Sequence, residues 1–469
     1  MRDLKSTASS YDLPLSIGRI VGYNMGKAIE IVMISTLSIV VMPFYSIDLK
    51  VNPAWLGAAI AIPRFLDSIL DIAMGWVSDN TKSRWGRRRP WMFLGGLIMG
   101  LSFWLTWTPS PSWGETGILV YFFIMNSLFY VGATLYFVPY YALGNELSMD
   151  PDVRARVMSN RSLIWGLVTL VTPWAYKLFY CPIFGGNVLE GARTVGLIIG
   201  VICVILSIVS VAASRENPAV MKQAYIPLRT ALTESLKCRP FWIMMAVATL
   251  TMLGFSLVGG FNIFVGTYHI FNGDSAAMAK LWGYIGMTWG ISAVVFSIFI
   301  KTIIKQIGDK QTLYLSILLL TAGSASSWWA YNPHFPMLAV LTTLLTAPGV
   351  IGMQTVTFLW LADICDYDAL QAGVRREGVF SAVKSFVFKS LVAIAGGVAG
   401  FLLVVAGIDT SLQQQSEQAV SNLRIMFAVL PGVLALSAIY FVHIYPLTKE
   451  KMDEIRLRLQ AKEAAESGL

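Results

Sequence analysis

Apolar runs of about 20 residues, the length a helix needs to cross a bilayer, recur along almost the whole chain, and the polar stretches between them are short. Marking these runs predicts twelve helices, over 17–45, 53–78, 91–108, 116–143, 158–180, 194–214, 241–268, 280–301, 312–331, 334–361, 378–408 and 422–446. The longest polar connection, 214–240, divides six from six. Short motifs echo across it. "ALGNELSMD" at 142–150 follows the fourth run as "LADICDYD" at 361–368 follows the tenth, and "DNTKSRWGRRR" after the second has a reduced counterpart, "IGDKQ", after the eighth. The expected architecture is an all-α integral membrane protein of twelve transmembrane helices in two pseudo-symmetric six-helix bundles. The bundles occupy 1–213 and 241–446, with a central cytoplasmic loop at 214–240 and a tail at 447–469 read as a solvated helix or frayed end. Duplicated layouts of this kind hold a small solute midway between the halves.

Composition agrees. Hydrophobic residues make up 56% of the 469 and charged residues only 13%, about half the charged share of soluble domains. The four cysteines, Cys181, Cys203, Cys238 and Cys365, have no paired spacing, so neither a disulfide framework nor a zinc site is expected. A net charge of +8 could suggest nucleic acid, but the basic residues flank apolar runs instead of forming a detached basic domain. They report topology. With the N-terminus inside, 26 Lys and Arg fall in cytoplasmic stretches and five outside: Lys50, Lys177, Arg193, Lys280 and Arg424. That imbalance predicts both termini in the cytoplasm of a multi-pass membrane protein, and the polar start lacks the pattern of a cleaved signal.

The remaining charges lie inside the apolar runs, where each costs about 2.5–3.5 kcal/mol or more unless it faces an interior cavity. Arg64, Asp67 and Asp71 are spaced i, i+3, i+7 and project from one face of the second helix. Two carboxylates one turn apart can ligate a small cation or share a proton, so Asp67 and Asp71 are the expected ion-coupling site, and a metal site if the ion is Na⁺. A salt-bridged cluster that only locks helices is the alternative. Lys27 and Glu30 stand one turn apart in the first helix and can pair locally or reach across the cavity. Arg161 is expected at the mouth of the fifth helix, with Trp165 one turn further on. In the eleventh, Lys384 and Lys389 point about 140° apart. Tyr136, Tyr140, Tyr141, Trp165 and Trp360 could face a sugar ring, with packing the more ordinary use of each.

The polar stretches predict a cytoplasmic gate. Asp79 closes the second helix, and Arg84, Arg87 and Arg88, with Arg376 in the other half, can bridge to Glu146, Asp150, Asp363 and Asp366 in one conformer and release them in another.

Together "RFLDSILD", "GWVSDNTKSRWGRRRPW", "VPYYALGNEL", "MSNRSLIWG", "LADICDY", "VRREG" and "FVFK" span both halves. In them the chain resembles the glycoside-pentoside-hexuronide cation symporters, a branch of the major facilitator superfamily typified by the melibiose permease. The resemblance implies the major facilitator fold, with Asp67 and Asp71 as paired cation-binding acids beside Arg64, Arg161 as a sugar-pocket arginine, and Lys389 as a lysine linking ion and sugar sites. Gln354 falls where the permease has a pocket tryptophan. Two positions depart: Phe137 stands where the permease grips sugar with an aspartate, and its helix-one aspartate aligns near Ala28 or Ile31, with Glu30 the nearest acid. Fewer acids beside Lys27, Arg64, Arg161, Lys384 and Lys389 make the expected cavity more positive, which suits an anionic sugar such as a hexuronide.

The expectation is therefore a monomeric symporter of a bacterial inner membrane, importing a sugar or sugar derivative with Na⁺ or H⁺ and needing no cofactor. An enzyme would need a nucleophile and base, a His cluster or a phosphate loop; His269, His334 and His443 are far apart and no such motif occurs. A sensor or scaffold that binds sugar without moving it is the alternative.

Overall fold

Ser16 caps the first helix, its side chain accepting from the Arg19 amide at 3.4 Å. That helix, α1 (Ile17–Pro43), runs into a π turn over Phe44–Asp48. The computed structural model describes residues 16–146, 151–214, 238–372, 377–412 and 414–467, and every regular element there is helical. After α1 come α2 (Pro53–Asn80), α3 (Arg89–Thr106), α4 (Gly114–Glu146), α5 (Pro151–Val171), the short α6 (Ala175–Phe179) and α7 (Val188–Ala213). Next are α8 (Arg239–Val265), α9 (Ser275–Ile307), α10 (Asp309–Ala330), α11 (Thr343–Ala372), α12 (Glu377–Val405), α13 (Glu417–Ile444) and α14 (Lys449–Ser467).

Among the described residues eight helical segments are long and apolar enough to cross a membrane: α1, α4, α7, α8, α9, α11, α12 and α13, some with their flanking turns. Those falling short are α2, α3, α5 and α10, and polar sequence explains each. Arg64, Asp67 and Asp71 interrupt α2, Arg89 opens α3, serines fill the second half of α10, and α5 carries three arginines, Arg154, Arg156 and Arg161.

Two boundaries differ from expectation for identifiable reasons. Pro151 begins α5 seven residues early, a first-turn position that suits proline, and Pro173 ends its regular course in a single 3₁₀ turn. Arg161 therefore sits ten residues inside α5, not at its mouth. Likewise Pro336 opens a 3₁₀ stretch to Thr342, so α11 starts and ends later than the hydropathy suggests.

The chain separates into two compact units, 1–51 with 62–225, and 52–61 with 226–469. In the first, α3 and α4 approach until backbone touches backbone: a Cβ on Gly95 would lie 2.7 Å from the Gly132 carbonyl oxygen, and one on Gly132 would lie 2.6 Å from the Met99 nitrogen. Only glycine fits there. Residues 52–61, the first part of α2, group with the second unit, where a Cβ on Gly400 would meet the Pro53 oxygen at 2.2 Å. The core of the second unit gathers Phe241, Met244, Ile317, Trp360, Phe380 and Val442.

The tail is not a free, fully solvated helix. α14 buries Met452 and Ile455 in the second unit's core, and Arg456 reaches Asp363 at 2.8 Å.

One backbone device occurs twice, 222 residues apart. The π turn Phe44–Asp48 after α1 matches Gly266–Ile270 after α8. In both, an amide bonds five residues back (Leu49 to Phe44, Phe271 to Gly266) and another six back (Val51 to Tyr45, Gly273 to Thr267). In both, the intervening residue is left-handed, Lys50 at φ 61° and Asn272 at φ 48°.

Candidate functional site

The first unit carries most of the expected site. On α2, Asp67 is buried, at 6% exposure. The Thr134 hydroxyl of α4 donates a short hydrogen bond to its Oδ1. Asp71 follows one turn on, half-buried. Arg64 does not turn towards the two acids for its hydrogen bond: it donates to Ser38 Oγ of α1 at 3.2 Å. Two carboxylates thus stand one turn apart on α2, one of them held by a hydroxyl of α4. Thr134 is not legible in the sequence. A lone threonine in an apolar helix has no periodicity to mark it, and only the packing of α4 beside α2 reveals its role.

A second group centres on Tyr141 of α4. Lys27 Nζ lies 2.9 Å from Glu30 Oε2 and 3.3 Å from the Tyr141 hydroxyl, and that hydroxyl donates a short bond to the same Glu30 oxygen. Arg161 of α5 lies flat against the Tyr141 ring, its Cζ 4.4 Å from the centroid. Among the described residues no hydrogen bond or ion pair engages the Arg161 guanidinium. Trp165, one turn along, is half-buried, and Phe137 is buried, at 8% exposure, between Tyr136 and Tyr141. The Phe137 ring is thus part of the wall behind Tyr141.

Tyr136 and Tyr140 are packing residues, fully buried and stacked on one another at 5.9 Å. Tyr140 also stacks on Tyr23, and α1 keeps its place through Asn24, whose side chain donates to the Val157 carbonyl at 3.0 Å and to Asn160 at 3.1 Å. Trp360 likewise packs: it lies 3.6 Å from Tyr445, nearly parallel, and donates to Asp309 at 2.5 Å.

In the second unit Gln354 is exposed on α11. Lys384 and Lys389 are both half-buried on α12, Lys384 with its ammonium 5.7 Å from the Phe358 ring centre.

The expected gate residues have local partners. Asp79 pairs with Arg88 at 2.7 Å within the same unit. Within the second unit, Asp363 and Asp366 face Arg456 of α14, at 2.8 and 3.9 Å. Arg84 is exposed and Arg87 half-buried. Glu146 ends α4; its side chain, like Asp150 and Arg376, lies outside the described residues.

The sequence profile of MFS/sugar transport proteins matches residues 22–449. The chain belongs to that family. Over 97% of its length this transport protein is 24% identical to the glucuronide carrier protein homolog of Escherichia coli, 98% of which is covered. It is 23% identical to the putative glycoside/cation symporter YagG of the same organism, with 95% of each covered. Among solved structures, a point mutant of nucleoside transporter NupG superposes with a TM-score of 0.65 at 14% identity, covering 90% of this chain and 99% of that one. The last likeness concerns the fold alone, and it is the fold of a transporter. Membership among the glycoside-pentoside-hexuronide cation symporters agrees with these matches, and no enzyme stands among them.

Proposed function

We propose that this protein imports a sugar or sugar derivative, a glycoside or a sugar acid, coupled to Na⁺ or H⁺. It works as a monomer with twelve spans in two six-helix bundles and both termini in the cytoplasm of a bacterial inner membrane. The names of the relatives, a glucuronide carrier homolog and a glycoside/cation symporter, support the solute class and the coupling. The observation that carries the reading is the burial of Asp67 against Thr134 in a helix of a membrane protein. An ionised group so placed, with a second carboxylate one turn away, is costly unless a cation visits it.

A cation arriving at Asp67 and Asp71 cancels their mutual repulsion and favours the arrangement that holds solute; linkage then requires that solute tighten the cation in return. Arg161, held face-on by Tyr141, offers donors in a planar fork suited to sugar hydroxyls or to a carboxylate. Rocking of the two bundles about the site completes the cycle, with Asp79, Arg84, Arg87, Arg88, Glu146, Asp363, Asp366 and Arg376 as the cytoplasmic gate.

Counterflow in proteoliposomes tests this directly. Vesicles preloaded with unlabelled sugar should transiently accumulate the labelled form, and a sugar-binding sensor would not. Screening neutral sugars, uronates and sulfonated sugars with and without sodium identifies solute and ion; no exchange with any of them refutes the proposal.

A further inference from the structure

Glu30 takes no part in the ion-coupling pair, yet it occupies the point where the basic and phenolic groups of the first unit meet. Its Oε2 receives both the Lys27 ammonium, at 2.9 Å, and the Tyr141 hydroxyl. On the face of that same phenol lies Arg161, its guanidinium without a hydrogen-bonded partner among the described residues. An ammonium, a phenolic O–H and a guanidinium are the donors that would grip an acid group, and the first two already hold one, supplied by the chain itself. Lys27 and Glu30 are only 17% and 23% exposed, so solvent screens them weakly and an uncompensated charge there is costly.

We propose that Glu30 is a resident stand-in for the acid group of an anionic guest, displaced from Lys27 when such a guest binds. The inference rests on the sugar-transport reading and deepens it by naming what decides between acid and neutral solutes. A guest carboxylate entering beside Arg161 competes with Glu30 for Lys27. Once Lys27 turns to the guest, Glu30 is left without its ammonium beside a second anion and swings away from the guest. A neutral sugar leaves the Lys27–Glu30 pair closed and binds through its hydroxyls. The groups around Glu30 fit this exchange: Lys27 on α1 and Tyr140 and Tyr141 on α4, with Arg161 of α5 against the Tyr141 ring. α7, which also packs on α1, has its charges, Glu190 and Arg193, in its first two turns.

The test measures glucuronate and glucose binding to the purified carrier by calorimetry, for wild type, Glu30→Gln and Lys27→Gln. Glu30→Gln should raise the acid-to-neutral affinity ratio roughly tenfold, about 1.4 kcal/mol, while Lys27→Gln should lower the ratio below that of wild type. A shift of the Glu30 carboxylate band in the infrared difference spectrum on glucuronate binding, absent with glucose and missing in Glu30→Gln, gives a second readout that mere packing would not move. An unchanged affinity ratio in Glu30→Gln, or equal weakening of both sugars, overturns the inference. So does a wild type that binds only the neutral sugar, although counterflow of that sugar would leave the transport reading standing.

Discussion

Replacing Thr134 by valine removes a hydroxyl and keeps the shape, and its effect should reveal the coupling ion. The hydroxyl donates to a carboxylate that is 6% exposed, and hydrogen bonds to charged groups contribute about 1.5–3 kcal/mol. Converted at 1.4 kcal/mol per tenfold, that is roughly 10- to 150-fold in the affinity of the site for its cation. The readout depends on the ion. For a proton, loss of the bond appears as an altered dependence of uptake on pH. Sodium instead loses an oxygen neighbour and an anion held in place, so its apparent affinity falls by a similar factor. Uptake measured against pH at fixed sodium, and against sodium at fixed pH, reads both, with Thr134→Ser as the control that restores the hydroxyl. An unchanged cation dependence in Thr134→Val, with solute binding intact, would refute the assignment of Asp67 as part of the coupling site.

Arg161→Lys keeps a positive charge but loses the planar stack on Tyr141, and should weaken solute binding about tenfold; an unaltered apparent affinity in counterflow would remove Arg161 from the pocket. For α14, burial outweighs charge: Arg456 is 52% exposed, so Arg456→Gln should cost about 0.2–1 kcal/mol. Met452→Ala with Ile455→Ala should instead cost about 2–5 kcal/mol or more and release the helix, as amide hydrogen exchange over 449–459 will show. Gly132→Val should abolish a monodisperse peak in size-exclusion chromatography, because its branched side chain meets Met99 backbone, whereas Gly166→Ala, with nothing within 4 Å, should leave it unchanged.

The acids of α2 are legible because an apolar run makes every charge conspicuous, and spacing alone puts Asp67 and Asp71 on one face. What packing decides is not legible. Periodicity groups Arg64 with those acids, but the structure directs it to Ser38 on a neighbouring helix. Hydropathy places Arg161 at a helix mouth because the charged residues 152–156 lower it there, although Pro151 starts the helix before them. Charge pattern offers Asp363 and Asp366 as gate acids but passes over Arg456 as their partner, because α14 is polar in composition and hides the two apolar residues that dock it. The Lys27–Glu30 pair is the reverse case: its local partnership follows from i, i+3 spacing, while the Tyr141 hydroxyl that joins it comes from 111 residues away.

The paired π turns after α1 and α8 retain one hydrogen-bonding scheme while the side chains around it have diverged, Ser46 matching Tyr268 and Asp48 matching Ile270. Each turn winds one residue more than an α-helical turn would use. Deleting that residue from one copy would swing the following segment by about 100° about the helix axis, misdirecting the start of α2 while the other copy stayed true. The spare residue therefore acts as a phasing shim, and the fold has kept it in both places.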